Sequence, residues 1–196
     1  MPPDPRERDA SRPRSARVVL LGAPGAGKGT QAAVLSERLD VSHVATGAVL
    51  RQRAQTDPTL AARLDKGDLV PDDVVLDVVR DALGPPSERR GYVLDGFPRT
   101  LTQAQALDEI APPDLVVYLE IPDEVARRRL ARRADGRGDD REDRSIQRRL
   151  ELFHTQTEPV RDYYSRNGVM TTVDAAQSPD AVTADIARSL DALPPR

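Results

Sequence analysis

Five short apolar runs, at residues 17–21, 41–45, 92–94, 115–121 and 169–173, are separated by longer stretches with helix-like spacing of apolar positions. Runs of that length read as strands, and the connections between them are long enough for helical crossovers. The alternation predicts an α/β fold in which a parallel sheet is covered on both faces. Helices are expected at 28–39, 47–54, 58–66, 72–83, 102–110, 122–133, 143–157, 159–166 and 179–190. Thr46, Pro122-Asp123, Thr157-Glu158-Pro159 and Ser178-Pro179 read as caps or first-turn prolines, while Gly67, Gly84 and Gly168 fall where helices should stop. No internal repeat is visible.

In open α/β sheets ligands bind beyond the carboxyl ends of the strands, so chemistry should collect in the loops that follow the apolar runs. The first such loop reads Gly22-Ala23-Pro24-Gly25-Ala26-Gly27-Lys28-Gly29-Thr30. Its glycines let backbone N–H groups crowd around phosphate oxygens where a Cβ would clash, and the helix behind presents its positive end. Lys28 adds a point charge suited to β- and γ-phosphates. A bound nucleoside triphosphate is the expectation. The hydroxyl that usually follows the lysine arrives one residue late, at Thr30, so Mg²⁺ is expected to be held mainly by phosphates and water. Only Lys28 and Lys66 are lysines among 29 Lys and Arg, and one of the two stands in this loop.

The loop after the second run holds Thr46-Gly47, and that after the third reads Asp95-Gly96-Phe97-Pro98-Arg99. Asp95 ends a buried strand on the edge of the sheet that carries the phosphate loop, where a carboxylate can orient Mg²⁺ or its water shell from the second coordination sphere. Arg99 is placed to project into the same cleft and grip phosphate with two parallel hydrogen bonds.

Composition narrows the classes. At 196 residues with 38% hydrophobic content, the chain can bury one core but not two full domains with linkers. A net charge of −3 argues against a general nucleic-acid binder. The apolar run 115–119 is far too short for a membrane span. Cysteine is absent, which excludes disulfides and thiolate metal sites; that leaves the compartment undecided but fits an intracellular protein, and a cytoplasmic one is the expectation. Residues 1–16 mix Pro, Arg, Asp and Ser without periodicity and read as a disordered tail; Asp4, Glu7 and Asp9 count against a transit peptide.

Taken in order, GAPGAGKGT, ATGAVLR (45–51), GDLVPD (67–72), GYVLDGFPRT (91–100), Gln103-Ala104 and the arginine-rich segment after Arg127 resemble adenylate kinase, a nucleoside monophosphate kinase family, from residue 17 to the C-terminus. The resemblance implies a P-loop NTPase-type three-layer fold with a five-stranded parallel sheet. It implies one domain over 17–196, with an AMP-binding helical insertion at about 46–75 and a short lid at about 134–142. It further implies Mg-dependent, reversible phosphoryl transfer from ATP to AMP, giving two ADP, by a monomer with no nucleic-acid or membrane partner.

By the same resemblance, Gly25, Ala26, Gly27, Lys28, Gly29 and Thr30 would hold the ATP phosphates. Thr46, Arg51, Asp68, Leu69, Val70, Gly96, Phe97, Pro98, Arg99 and Gln103 would surround AMP. Gln103 would present a donor and an acceptor to the adenine edge. Arg129 would stack on the ATP base, Arg133 would touch its phosphates, and Gln177 would offer it a backbone contact. Arg137 and Arg149 resemble the lid-side arginines that close on the transferred group, with Arg141 able to exchange roles with Arg137. Lys28, Asp95, Arg99, Arg133, Arg137 and Arg149 form the expected catalytic set. Loose phosphoryl-transfer transition states need positioning and charge neutralisation rather than a general base, which accounts for so many arginines. The remaining arginines of this segment, Arg148 among them, read as surface or lid-hinge residues, and His43 and His154 as structural.

The chain departs from the family pattern in places. Ala48 stands where an aspartate is common, and the segment from Arg51 to Gly67 is shorter than usual. The lid is brief and Cys-free, similar to the form without zinc. A kinase for another monophosphate, and a nucleotide-binding module without turnover, remain open alternatives at this level.

Overall fold

The computed structural model describes residues 16–85, 90–132 and 143–194. Its elements run β1 (Arg17–Gly22), α1 (Lys28–Leu39), β2 (Ser42–Ala45), α2 (Thr46–Ala54), α3 (Pro58–Asp65), α4 (Asp72–Leu83), β3 (Tyr92–Asp95), α5 (Leu101–Ile110), β4 (Leu115–Glu120), α6 (Asp123–Ala131), α7 (Asp143–Leu152), α8 (Glu158–Arg166), β5 (Met170–Asp174) and α9 (Pro179–Asp191). Five strands form one sheet in the order β2-β3-β1-β4-β5, all parallel. The α/β layering and five parallel strands expected from the sequence are both present.

Burial explains the order. The inner strands β1, β3 and β4 are apolar on both faces and almost wholly buried, whereas the edge strands β2 and β5 each keep exposed positions. Leu20, Leu94 and Leu119 are fully buried, and side chains of this kind contribute about 1.5–3 kcal/mol apiece. Helix α4 shows how a cover forms: Val75, Val78 and Val79 fall on one stripe and are buried, while the opposite face is charged. Because β1 lies between β3 and β4, the chain leaves it first toward one edge and later toward the other. The loops beyond the carboxyl ends of β1 and β3 therefore open a crevice at the switch point.

Three expectations shift. Ala16, assigned to the tail, is buried, and its carbonyl accepts a hydrogen bond from Tyr92 N at 3.1 Å, so the folded unit includes it; 1–15 lie outside the described residues. Thr46 is not the cap of α2 but its first residue, with Ala45 in the cap position. The helix expected over 143–157 is regular only to Leu152, and Phe153–Thr157 widens into a π turn that runs straight into α8. Pro159 has no N–H to continue an α ladder, and the wider turn absorbs that loss. The expected lid, 134–142, lies outside the described residues.

Candidate active site

Two adjoining clefts open at the carboxyl end of the sheet. One, of about 530 Å³, is lined by Gly22, Pro24 and Lys28 from the phosphate loop, by Phe97 and Pro98, and by Phe153 and Thr157 from the π turn. The other, of about 570 Å³, is lined by Thr46, Gly47 and Arg51 of α2, by Asp68, Leu69 and Val70, and by Gln103 of α5. Gly67, Leu69, Gly96, Arg99 and Arg149 line both. Two guanidinium groups thus stand on the wall between the clefts.

Local chemistry leaves positive helix ends open at this edge. Helices α1 and α2 begin without a side-chain cap and without an acid in the first turn. Every other helix whose start is described carries one or the other: Asp57, Thr100 and Ser178 cap α3, α5 and α9, and acids open α4, α6 and α8. A helix start with neither a cap nor an acid leaves its N–H groups and its dipole for a ligand anion. The charge beside α2 points the same way. A methyl placed on Gly47 would lie 3.4 Å from Arg51 Nη1 and 3.9 Å from Arg99 Nη2, so two guanidinium groups converge over the first turn. Like charges gathered in this way fit a phosphate between them.

The phosphate loop is shaped by close packing. Gly25 has φ +88°, and a Cβ there would lie 2.8 Å from the carbonyl oxygen of Ala126 in α6, so only glycine allows the loop to press against that helix. Lys28 Nζ donates to the carbonyls of Gly22 at 2.8 Å and Ala23 at 3.0 Å, which bends its ammonium back over the loop and into the first cleft. Asp95 stands opposite: a Cβ on Gly29 would be 3.3 Å from Asp95 Oδ2. Any side chain at 29 would require that carboxylate to give by a few tenths of an ångström. Among the described residues no three His, Cys, Asp or Glu side chains cluster as a metal site. A single carboxylate beside a phosphate cradle fits a hard cation carried in by phosphate and water rather than one caged by protein.

In the second cleft Thr46 is 1% exposed, and its Oγ1 has no partner among the described residues. A buried hydroxyl without a partner costs free energy unless something supplies one, and a ligand in the cleft it lines can do so. Gln103 is 2% exposed; its Oε1 accepts from Arg99 N at 2.7 Å and its Nε2 donates to Asp72 Oδ1 at 2.7 Å. Arg99 Nε donates to Gly96 O at 2.8 Å, and Thr157 Oγ1 donates to Arg99 O at 2.9 Å, so the π turn helps hold the Arg99 backbone.

Not every expected residue converges. Arg129 on α6 lines neither cleft; the side chain of Gln177, a residue expected to serve through its backbone, donates to Asp185 Oδ2 at 2.6 Å. Arg133, Arg137 and Arg141 lie outside the described residues. The histidines stand apart from the clefts: His43 is exposed on β2, and His154 lies between Glu158 and Asp123, whose hydrogen bonds raise its pKa above the ordinary value. Sequence reasoning missed three contributors. Asp72 sits inside the GDLVPD motif but carries no local sign of its bond to Gln103, Thr157 reads only as a cap, and Gly67, which opens that motif, reads otherwise as a helix stop. Gly67 also packs on α7, where a Cβ would lie 2.9 Å from Arg149 Cγ.

Comparison with known proteins bears on the same residues. A family model described as adenylate kinase matches residues 20–169. The chain is similar to an adenylate kinase of Thermus thermophilus, 42% identical over 184 residues that span 88% of this chain and 96% of the relative. It is likewise 38% identical to one of Leptospira biflexa, over 89% of this chain and 99% of the relative, and 42% identical to one of Thermobifida fusca, over 85% and 94%.

Proposed function

The chain belongs to the adenylate kinase family, and from that premise we propose that it is a phosphotransferase moving the terminal phosphoryl group of ATP reversibly to AMP, giving two ADP. The observation that carries this reading is the pair of clefts sharing Arg99 and Arg149, with Lys28 in one and Thr46 and Gln103 in the other. ATP phosphates would lie along Gly25 to Thr30, of which Lys28 lines the first cleft, and AMP between Thr46, Arg51, the 68–70 stretch, Gly96 to Arg99 and Gln103, most of which line the second. On this reading 46–75 is the AMP-binding insertion and 134–142 the short lid of one domain spanning 17–196. Arg129 and Gln177 would meet the ATP base, and Arg133 and Arg137 would close from the lid.

The chemistry follows from placement. The AMP phosphate is itself the nucleophile, so the protein needs no base at the reacting oxygen. Its tasks are to align donor and acceptor and to neutralise charge on the passing phosphoryl group. Arg99 and Arg149, which line both clefts, and Lys28, which lines the first, are suited to that. Charge neutralisation of the phosphates held beside Lys28 and Asp95 would come from bound Mg²⁺. Asp95 would orient its water shell. Burial of the acceptor cleft and closure from the lid would exclude water and so prevent hydrolysis.

No helix among the described residues is long and apolar enough to cross a membrane. The large hydrophobics exposed among them are Val34 on α1 and Leu101 on α5, and on this reading the protein is a monomer. A cytoplasmic site of action fits its substrates.

The test is a coupled assay of ADP formation from ATP and AMP against a Lys28→Ala control, with CMP, UMP and GMP as alternative acceptors. Turnover with AMP, lowered about 10²–10³-fold in the control, is the expected result. Binding of ATP without turnover above the control would overturn it.

A further inference from the structure

We infer that Asp72 fixes the orientation of the Gln103 amide and so makes the monophosphate cleft select a 6-amino purine over a 6-oxo purine. This rests on the reading above that Gln103 faces the acceptor base. The two ends of a glutamine amide differ by a single exchange of donor and acceptor, and either orientation fits the same space. Here both neighbours are one-way groups. The backbone N–H of Arg99 can only donate, and it lies 2.7 Å from Oε1; the carboxylate of Asp72 can only accept, and its Oδ1 lies 2.7 Å from Nε2. Rotating the amide by half a turn would set a carbonyl oxygen against a carboxylate and an NH₂ against an N–H. Gln103 is almost fully buried, so water would not relieve either clash.

Asp72 is itself held. Thr100 Oγ1 donates to Asp72 Oδ2 at 3.0 Å while accepting from Gln103 N at 3.2 Å. The hydroxyl has one hydrogen, and giving it to Asp72 leaves its lone pair for the start of α5. Asp72, Thr100 and Gln103 thus close a ring in which each donor and acceptor role follows from the next.

After these bonds the amide retains one N–H on Nε2 and one lone pair on Oε1. A 6-amino purine presents an amino donor beside an unprotonated N1, the complement of that pair. A 6-oxo purine presents a carbonyl beside N1–H, the reverse. With the amide unable to turn over, the second base meets acceptor with acceptor and donor with donor. Asp72 acts through Gln103 and is a positioning residue.

The experiment compares steady-state kcat/KM for AMP and for inosine 5′-monophosphate, which differ at the 6-position edge, in the wild type and in Asp72→Ala, Asp72→Asn and Gln103→Ala. Asp72→Ala should lower the AMP to inosine monophosphate ratio by about tenfold, with the KM for ATP unchanged. Asp72→Asn keeps an oxygen that can accept from Nε2 and should restore most of the ratio. Should Asp72→Ala not fold, Thr100→Val removes the bond that steadies Asp72 and should lower the ratio by about fivefold. A folded Asp72→Ala or Thr100→Val protein with the wild-type ratio overturns the inference. If Gln103→Ala abolishes the preference while Asp72→Ala keeps it, orientation by Asp72 is wrong and base reading by Gln103 stands. If Gln103→Ala keeps the preference, the reading of Gln103 fails, and the inference with it.

Discussion

Arg148 Nε donates to Asp68 Oδ1 at 2.9 Å, and this pair joins α7 to the loop that follows α3, two parts of the chain 80 residues apart. Asp68 lines the second cleft and Arg149, next to Arg148, lines both clefts. The pair therefore ties the floor of one cleft to the arginine on the wall between them.

Both partners are largely solvated, with side chains 49% and 32% exposed. Arg148→Ala should accordingly change unfolding free energy by less than about 1 kcal/mol. The loop at 68–70 would lose its tether, and the KM for AMP should rise about two- to fivefold, the range such a pair allows. Chemical denaturation and initial-rate kinetics check both statements. A loss of stability well above that range, with AMP affinity intact, would assign the pair to folding instead.

Gly67 makes a sharper demand at the same seam. It has φ +73°, and a Cβ would lie 2.9 Å from Arg149 Cγ and 3.0 Å from the carbonyl oxygen of Ser145. Gly67→Ala should cost about 1–3 kcal/mol of stability through the left-handed backbone alone. It should also push Arg149 off the wall between the clefts, so kcat should fall alongside. Comparing thermal unfolding with kcat tests this, and an active enzyme of unchanged melting temperature would refute it.

What the sequence displays about the fold is what repeats locally. The inner strands are legible because they are apolar on both faces, and α1 and α4 occupy the spans expected of them because their buried residues fall on one stripe and Gly84 ends α4. The phosphate loop, Asp95 and Arg99 are legible because they follow the inner strands directly. What stays hidden is long-range pairing. Nothing near Asp72 announces a partner 31 residues away, and nothing near Asp68 announces Arg148. The π turn at Phe153–Thr157 is hidden for another reason: its side-chain spacing suits a helix, and only Pro159 hints that the ladder must widen.

Arg99 and Arg149 should be irreplaceable by lysine. A guanidinium can bond two phosphate oxygens at once and keep a fixed plane, whereas an ammonium acts as a point charge on a flexible stem. Arg99→Lys and Arg149→Lys should each lower kcat by about 10³-fold or more, in the range measured when a single arginine is taken from a phosphoryl-transfer site. Unfolding should change far less than that loss of rate implies. Stopped-time assays with both substrates saturating separate the rate from affinity, and a lysine variant within tenfold of wild type would show that charge alone suffices.

His154 gives the protein a pH-dependent increment of stability away from the clefts. Its Nδ1 lies 3.0 Å from Glu158 Oε2 and its Nε2 lies 2.9 Å from Asp123 Oδ2, joining the π turn to the starts of α8 and α6. The hydrogen bond to Glu158, then that to Asp123, raises its pKa above the ordinary 6.5. A raised pKa means that the folded protein holds the proton more tightly than the unfolded chain. The contribution is therefore complete below about pH 6.5 and disappears as pH rises through the higher folded value. Because the side chain is 42% exposed, the increment should stay below about 1 kcal/mol. Denaturant unfolding of wild type and His154→Gln at about pH 5.5 and about pH 8.5 should show the wild-type advantage at the lower pH only. An advantage of equal size at both would mean that the contacts work through packing on Phe153, whose ring lies 5.3 Å away, and not through charge.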